Sequence, residues 1–331
     1  MTRQIILKSR PVGLPKPENF ETREVDIPEI ADGQLRLVVH TLSVDPYMRG
    51  RMNDAPSYVA PFQVGEPMAG GGIARVVESR AEGINAGSYV RGFIPWQEEI
   101  VIDAAGLNVV DETTGPLNYY LGILGIPGLT AYFGLAEIGK LKEGETVVIS
   151  GAAGAVGLVA GQLAKNQGCR VVGITGTVEK ANYLINELNF DAVINYKNAT
   201  DLYSEIEKST PSGVDVYFDN VGGEISDAVI SRINKYGRII ICGQISLYNA
   251  TSQPTGPRVQ GILLKRSALM QGFIVSNYIP RFPEGLQTLA QLIKNGALKY
   301  TSTTYHGFEK LPEAFIALFE GKNLGKLVVE L

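Results

Sequence analysis

The chain contains 331 residues, more than a single hydrophobic core usually serves, so its length predicts two domains. Hydrophobic residues make up 45% and charged residues 19%, a balance that excludes a disordered chain and is ordinary for a globular one. The formal net charge of −4, without basic clusters interleaved with aromatic residues, argues against nucleic-acid binding.

Three features predict a cytoplasmic protein that does not enter a membrane. Residues 1–8 are too short and too soon charged for a signal peptide. The most apolar later stretch, 121–129, falls well short of the roughly 20 residues that span a bilayer. The only two cysteines, Cys169 and Cys242, make a disulfide framework implausible, which fits a reducing compartment.

The two ends of the chain share a β-rich pattern. Segments 34–40 and 72–77 are predicted strands, set among turns that contain many glycines and prolines. Beyond about residue 300, strand patterns return at 300–306 and 325–331, around a short helix near 312–320. We therefore expect the two ends to build one domain together.

The middle of the chain has a different pattern, in which short β-branched runs alternate with helical ones. This alternation predicts βαβ units and a parallel sheet. The candidate strands are 146–150, 170–175, 192–195, 214–218, 238–242 and 269–275. Six such strands complete one doubly wound Rossmann domain. The predicted α/β architecture is thus a Rossmann domain, residues 125–302, inserted into a β-rich domain of residues 1–124 and 303–331.

A glycine-rich loop follows the first of these strands. The apolar run 146–150 leads directly into GAAGAVG, residues 151–157, and the apolar residues after it recur with helical spacing. Backbone without Cβ atoms can approach a pyrophosphate closely, and the helix N-terminus offers unpaired N–H groups. A tight strand–helix turn with Gly157 for packing is the alternative, but the βαβ context favours dinucleotide binding.

The end of the second strand favours NADPH over NADH. NAD-specific sites carry an acidic residue there, about 20 positions after the glycine loop, which binds the ribose hydroxyls. Here strand 170–175 ends in Gly176-Thr177 without a carboxylate, and Lys180 follows within one helical turn. A missing acid beside a cation suits the 2′-phosphate of NADPH. Glu179 weakens this argument, and Lys180 on a solvated helix face is the alternative.

The chemistry missing from the chain narrows the mechanism. The cysteines and the two histidines, His40 and His306, have no partners at metal-ligand spacing, so no zinc site is predicted. No tyrosine has a lysine four residues later, and no Gly-x-Ser-x-Gly nucleophile elbow occurs. Asp215 and Asp219, which bracket a strand, are interpreted as sheet-edge residues rather than as a catalytic dyad.

Hydride transfer to an activated alkene needs no metal. The cofactor supplies the hydride, and the negative charge that develops on the carbonyl oxygen needs a hydrogen-bond donor. Tyr248 lies just past strand 238–242, at the carboxyl end where ligands of such sheets bind. We therefore predict Tyr248 as that donor and the following loop, 249–261, as a lid.

Four motifs in order resemble the zinc-independent branch of the medium-chain dehydrogenase/reductase superfamily. They are DPYMRGRM at 45–52, GAAGAVG at 151–157, FDNVGG at 218–223 and NLGK at 323–326. This branch contains prostaglandin reductases, plant double-bond reductases and bacterial curcumin reductases. The resemblance implies a GroES-like catalytic domain around a Rossmann domain, and NADPH-dependent reduction of the carbon–carbon double bond of enones and enals. Zinc-dependent relatives carry Gly-His-Glu where this chain has Gly65-Glu66-Pro67, which agrees with a metal-free site.

The resemblance also implies which residues bind the cofactor: a phosphate loop, two contacts to the 2′-phosphate, and residues from later loops that line the nicotinamide half. They are Gly154, Ala155, Val156, Gly157, Lys180, Tyr196, Asn220, Cys242, Gly243, Tyr248, Phe273, Val275 and Asn323. Alternatives stay open, since Asn220 and Asn323 are also common capping residues and Tyr196 is also a common packing residue.

Two tyrosines, Tyr47 and Tyr248, match the residues that flank the enone in plant relatives, and Tyr248 is the predicted oxygen or proton partner. Other functions stay open. A quinone reductase could use the same metal-free site, and a non-catalytic NADPH-binding sensor would need no substrate. Alcohol oxidation is disfavoured because no zinc or lysine pair takes the alcohol proton. The resemblance further implies a homodimer through the edge strand 269–275 of the Rossmann sheet.

Overall fold

The computed structural model describes residues 1–331 and contains fifteen strands and nine α-helices. The strands are β1 (Thr2–Leu7), β2 (Phe20–Val25), β3 (Gln34–Ser43), β4 (Ala69–Ser79), β5 (Tyr89–Pro95), β6 (Glu99–Asp103), β7 (Asn108–Val109), β8 (Thr146–Ser150), β9 (Arg170–Thr175), β10 (Ala192–Asn195), β11 (Val214–Asp219), β12 (Ile233–Ile241), β13 (Leu269–Gly272), β14 (Ser302–His306) and β15 (Lys326–Glu330). The helices are α1 (Tyr47–Arg51), α2 (Ile126–Phe133), α3 (Ala155–Asn166), α4 (Val178–Asn186), α5 (Leu202–Ser209), α6 (Gly223–Ser231), α7 (Gln260–Arg266), α8 (Phe282–Lys294) and α9 (Leu311–Phe319).

The chain divides into two compact units. The terminal unit comprises Met1–Leu121 and Ser302–Leu331, and the central unit comprises Gly122–Thr301. None of the helices in either unit combines the length and the apolar character that crossing a membrane requires.

The central unit contains a six-stranded parallel sheet in the order β10-β9-β8-β11-β12-β13. This is the strand order of a Rossmann fold. The β-branched sequence of β8 suits its position in the middle of the sheet, where all five of its residues are buried. Because the strands are parallel, the loops after β8, β9, β11 and β12 leave the sheet at the same edge, which we call the carboxyl edge.

The terminal unit is built on a seven-stranded sheet in the order β14-β15-β3-β4-β5-β7, with β6 also paired to β3 and a separate β1–β2 pair. Strand β15 pairs antiparallel with β3, Val329 opposite Leu42, so the C-terminal segment completes a sheet formed by N-terminal strands. The core packs Phe20 against Trp96 and Phe315, with ring centroids 6.0 and 6.2 Å apart. The predicted α/β class, a Rossmann sheet inserted into a β-rich unit, is confirmed.

Strands β8, β9 and β10 have the predicted bounds, β11 extends one residue further, to Asp219, and the last two strands of the parallel sheet differ more. The strand predicted at 238–242 runs from Ile233 to Ile241. It starts early because Ile233 already pairs with Val214 of β11, before a bulge shifts the register. The polar residues that follow Ile233 gave no strand pattern, so this early pairing was not predicted. It ends early because the N–H groups of Cys242 and Gly243 both donate to the Asp219 carbonyl, at 2.9 and 3.0 Å.

The predicted edge strand 269–275 stops at Gly272, since its neighbour β12 also ends there. In the terminal unit, β3 and β4 extend beyond the predicted segments. Glycines in β4 argued for a turn, but they serve close packing within the strand. A Cβ at Gly70 would lie 2.1 Å from Met48 Cε, and a Cβ at Gly72 would lie 2.9 Å from Leu42 Cδ2.

The predicted lid loop, 249–261, is shorter than expected. Residues 251–258 are all exposed and form no helix or strand. Helix α7 begins at Gln260, so the last two residues of the predicted loop are helical.

Candidate active site

The glycine loop joins β8 to α3 and leaves the first turn of that helix without backbone acceptors. Gly151 has a φ of +58°, a conformation that favours glycine, and Gly154 caps α3 without a side chain. Leu158 is the first residue whose N–H is bonded into the helix, donating to the Gly154 carbonyl at 3.0 Å. The N–H groups of the preceding turn therefore have no helical partner.

The same loop passes too close to the helix for any side chain at Gly157. A Cβ there would lie 2.4 Å from the Gly151 carbonyl oxygen and 2.7 Å from Ala152 Cα. The helix can start this near the strand end only because residue 157 is glycine. The result is a cradle of free amides at the positive end of a helix dipole, which fits the pyrophosphate of a dinucleotide.

The turns after β9 and β10 bring a phenol and two lysines together around Gly176. A Cβ at Gly176 would lie 3.2 Å from the Tyr196 hydroxyl oxygen and 3.3 Å from Lys197 Cε. Thr177 caps α4 by accepting a hydrogen bond from the Lys180 N–H at 3.3 Å, so Lys180 lies in the first turn of that helix. The predicted pair of Lys180 and Tyr196 thus gains a neighbour, Lys197.

The electrostatics of this turn favour an anion. Burial holds the pKa of Lys180 below its usual range, and the charge of Lys197 lowers it further. Glu179 acts in the opposite direction, but its side chain is exposed. Two lysines beside a phenol suit a ligand with several anionic oxygens, such as a 2′-phosphate. Lys197 was not predicted from the sequence, although its place directly after Tyr196, just past the parallel strand β10, was a usable signal.

The turn after β11 is tied to the glycine loop through Ser150. The Ser150 hydroxyl donates to Asp219 Oδ1 at 2.9 Å and accepts a hydrogen bond from the Asn220 N–H at 2.9 Å. The Asn220 side-chain amide donates to the Ser150 carbonyl at 2.8 Å. Asn220 therefore links two loops at the carboxyl edge rather than capping only its own turn.

The Tyr248 side chain folds back over the start of its own loop. Its hydroxyl oxygen accepts a hydrogen bond from the Gln244 N–H at 3.3 Å and lies 3.4 Å from the place of a Cβ at Gly243. Burial raises the pKa of Tyr248; the Gln244 N–H lowers it, and Cys242 and Asp219 raise it. The phenol is therefore protonated at neutral pH, and its own O–H is not used in the bond to Gln244.

The other predicted residues of the nicotinamide half follow β12 and β13. Burial, with Asp219 as the second cause, raises the pKa of Cys242 to about 12, so this thiol is neutral. Phe273 packs against the backbone at Gly134, where a Cβ would lie 3.0 Å from Phe273 Cζ. Val275 begins a short 3-10 helix after β13.

Tyr47 lies in the terminal unit, as the first residue of α1. Its pKa is raised, mainly by burial and then by the nearby carboxylate of Asp45, while Arg51 at the other end of α1 lowers it. Like Tyr248, Tyr47 therefore carries a protonated phenol at neutral pH.

A buried ion pair fixes the chain just before Tyr47. Lys326, which is 2% exposed, donates to Asp45 Oδ1 at 2.8 Å and to the Val44 carbonyl at 2.9 Å. Asn323 lies in the same unit, three residues before Lys326, and its side chain donates to the Gly325 carbonyl at 2.7 Å. Two of the recognised motifs, at 45–52 and 323–326, thus meet at this pair.

The side chains of the chain offer no metal site. No three His, Cys, Asp or Glu residues come together in an arrangement that could hold a metal ion. His40 Nδ1 lies 2.7 Å from Thr41 Oγ1, and the exposed His306 lies 3.6 Å from a carboxylate oxygen of Glu330.

The carboxyl edge collects most of the predicted cofactor-binding residues, because the loops after all six strands, β8 to β13, leave the sheet there. Tyr47 and Asn323 belong to the terminal unit instead.

Both halves of the chain match known protein families. Residues 3–110 match the N-terminal domain of oxidoreductase, and residues 155–291 match a family described as zinc-binding dehydrogenase. The second description names a metal for which this chain has no group of ligands.

Individual relatives match almost the whole chain. It is 41% identical to NADPH-dependent curcumin reductase of Escherichia coli, over 99% of this chain and 96% of the relative. It is equally 41% identical to 2-alkenal reductase (NADP+-dependent) of Nicotiana tabacum, with the same coverage. The crystal structure of CurA from Vibrio vulnificus in complex with NADPH superimposes with a TM-score of 0.94 at 42% identity, covering 99% of this chain and 98% of that one.

Proposed function

The chain belongs to the zinc-independent branch of the medium-chain dehydrogenase/reductase superfamily, and on that basis we propose that it reduces the carbon–carbon double bond of α,β-unsaturated ketones and aldehydes with NADPH. The observation that carries the proposal is the protonated Tyr248 phenol beside a dinucleotide cradle, at the carboxyl edge of a Rossmann sheet. Relatives named curcumin reductase and 2-alkenal reductase support it.

NADPH is the cofactor of this proposal. The loop Gly154–Gly157 would hold the pyrophosphate, and Lys180, Tyr196 and Lys197 would hold the 2′-phosphate. The free amides of the loop and the absence of a carboxylate at Gly176-Thr177, where β9 ends, support this assignment, as does the NADPH complex of a relative at 42% identity. Bound NADPH supplies a hydride to the β-carbon of the substrate.

Tyr248 would hold the carbonyl oxygen of the substrate. Negative charge develops on that oxygen as the β-carbon accepts the hydride, and a donated O–H stabilises the resulting enolate. Its raised pKa keeps the phenol protonated and able to donate. The α-carbon would then take its proton from Tyr248 or from water. Tyr47, whose phenol is also kept protonated by burial, is proposed as a second contact to the enone.

Turnover of NADPH and of NADH with an aliphatic enone, an alkenal and a quinone tests the proposal, with each product identified. We expect preferential use of NADPH and a saturated ketone or aldehyde as the product. Tyr248→Phe should lower kcat/KM by about 10²- to 10³-fold, because it removes the donor to the enolate. Tyr236→Phe, a change at an exposed residue of the same unit, should leave it unchanged. Quinone turnover without alkene reduction would favour a quinone reductase, and NADPH binding without any turnover would favour a sensor.

The proposal also covers assembly and location. A homodimer would form through β13, the edge strand of the Rossmann sheet, supported by exposed apolar residues nearby: Leu269 is 46% exposed and Leu264 of α7 is 82% exposed. Light scattering of the purified chain would distinguish dimer from monomer. The free cysteines support a reducing location such as the cytoplasm. The compact units support domains 1–124 with 303–331 and 125–302.

A further inference from the structure

Asp219 is a buried carboxylate for which the proposed mechanism has no use. It ends β11 and is 1% exposed. Its Oδ1 accepts four hydrogen bonds: from the Ser150 and Tyr217 hydroxyls at 2.9 and 2.8 Å, and from the Val221 and Gly222 N–H groups at 3.0 and 2.9 Å. All four donors are neutral, and none of the ion pairs of the central unit includes Asp219. A buried charge without an ionic partner is costly, so a compensating charge would be favourable.

Asp219 lies next to the loop proposed for the nicotinamide half. Its carboxylate accepts a hydrogen bond from the Gly222 N–H, and Gly222 packs against Gln244 of that loop, where a Cβ at Gly222 would lie 3.2 Å from Gln244 Cβ. The Asp219 carbonyl accepts hydrogen bonds from the Cys242 and Gly243 N–H groups, which begin that loop. Burial is the main cause of the raised pKa of both Cys242 and Tyr248, and the Asp219 carboxylate adds to it at each of these two residues, which lie at the two ends of that loop.

We propose that Asp219 stabilises NADP⁺ relative to NADPH and thereby makes the bound cofactor a stronger hydride donor. This inference rests on the proposed function, in which the nicotinamide lies at 242–248. NADP⁺ carries a positive charge on that ring which NADPH lacks, and a carboxylate close by in a low-dielectric site attracts it.

The balance of the reaction shows when this attraction acts. A hydride, with two electrons, leaves C4 of the dihydronicotinamide and forms a C–H bond at the β-carbon. The π bond of the alkene breaks, the enolate takes one proton, and one positive charge appears on the ring. Asp219 therefore stabilises the positive charge that develops on the nicotinamide ring in the transition state. Interactions that are stronger in the transition state than in the ground state are the ones that accelerate a reaction.

Asp215 provides a matched control on the same strand. Its Oδ2 accepts a hydrogen bond from the Thr146 N–H at 2.8 Å, and its Oδ1 accepts one from the Asn234 side-chain amide at 2.8 Å. It carries the same charge as Asp219, but four residues of extended strand place it about 13 Å further from the loop. Asparagine at either position removes one charge and keeps an oxygen that accepts hydrogen bonds.

The test measures dissociation constants for NADPH by fluorescence and for NADP⁺ by calorimetry, without substrate. In Asp219→Asn, we expect the ratio Kd(NADP⁺)/Kd(NADPH) to rise about tenfold, which makes the potential of the bound couple about 30 mV more positive. In Asp215→Asn, the ratio should stay within about twofold of the wild type, since its charge is distant. An unchanged ratio in Asp219→Asn, or an equal change in both variants, would overturn the proposal.

A second variant, Tyr217→Phe, tests the proposed role of Asp219 even if Asp219→Asn does not fold. Tyr217→Phe removes one donor to Asp219 and keeps the charge, so less of that charge is offset. The ratio should then fall, by about twofold, and a ratio that is unchanged or raised contradicts the proposal. Because no substrate is present, these ratios are independent of the enone assay. Failure of the wild type to reduce any enone would refute the proposed function and leave the ratios to decide the role of Asp219.

Discussion

The central and terminal units hold their proposed site residues by different means. In the central unit, backbone groups hold both side chains. The Gln244 N–H of the same loop donates to the Tyr248 hydroxyl, and the Ser150 carbonyl, at the end of the adjacent strand, accepts from the Asn220 side chain. In the terminal unit, the chain before Tyr47 is held by an ion pair between side chains 281 residues apart in sequence. The central site thus depends on neighbouring loops at the ends of parallel strands, and the terminal site depends on contact between the two ends of the chain.

This difference explains why one site can be located from local sequence and the other cannot. A parallel sheet places the loop after each strand at the same edge, so the order of strand, glycine loop and helix already predicts where the proposed cofactor residues lie. No comparable rule places Asp45 beside Lys326, because a five-residue helix such as α1 carries no periodic pattern.

The largest effect should come from breaking the ion pair between Lys326 and Asp45 in the terminal unit. Lys326→Met leaves the Asp45 carboxylate, whose side chain is only 20% exposed, without its cation. Removing one partner of a buried pair typically costs about 3–5 kcal/mol. We therefore expect the free energy of unfolding of this unit to fall by about that amount, as measured by urea titration.

An exposed lysine in the same segment serves as the control for this comparison. Lys322 pairs with Glu320 at 2.6 Å, but its side chain is 65% exposed and the pair is screened by solvent, so Lys322→Met should leave the free energy of unfolding nearly unchanged. Adding Asp45→Asn to Lys326→Met should recover part of the loss, since no unpaired charge then stays buried. Equal, small losses in the two single variants would show that the ion pair does not hold the segment before Tyr47.

A smaller effect is expected in the central unit, where two lysines share the proposed 2′-phosphate contact. Lys180→Ala and Lys197→Ala should each weaken NADPH binding about tenfold, the loss expected for one charge-assisted hydrogen bond of roughly 1.5 kcal/mol. NADH binding should stay within about twofold of the wild type, because NADH lacks the phosphate. Calorimetry with both nucleotides measures the contrast.

Lys208→Ala is the matched control for these variants. Lys208 lies on α5 of the same unit, and it pairs with Glu205 at the surface. Its removal should change neither nucleotide affinity. If Lys197→Ala weakened NADH and NADPH equally, Lys197 would support the turn after β9 rather than contact the phosphate.

Most of the fold follows from sequence pattern, and the exceptions have identifiable physical causes. Strands β8 to β10 were predicted with correct bounds because each is a short β-branched run between turn residues or helix starts. The glycines of β4 misled the prediction, because glycine there makes room for Met48 and Leu42, which only the folded structure shows. The early start of β12 was hidden by a bulge and by the polar residues Asn234 and Lys235.

Much of the candidate site was also accessible from sequence, but through two different routes. The glycine loop, Lys180 and Tyr248 follow from the order of strands and loops alone. Tyr47, Tyr196 and Asn323 came only from the resemblance, because nothing in their local pattern separates them from packing or capping residues. Asp219 was interpreted as a sheet-edge residue, and its burial among four neutral donors could not be known before the loops were placed.

The smallest effect concerns the alkaline limit of turnover, and it separates the two tyrosines. Asp219 raises the pKa of Tyr248, whereas Asp45 has that effect on Tyr47. With a protonated Tyr248 as donor, kcat should be flat through neutral pH and decline only where the phenol ionises, above the ordinary tyrosine value of about 10. Asp219→Asn removes a charge that favours the protonated phenol, so the decline should move to lower pH. Asp215→Asn should not move it. If the pH at which kcat declines were unchanged in Asp219→Asn but lower in Asp45→Asn, the ionising phenol would be that of Tyr47. The hydrogen-bond donor would then belong to the terminal unit rather than to the central one.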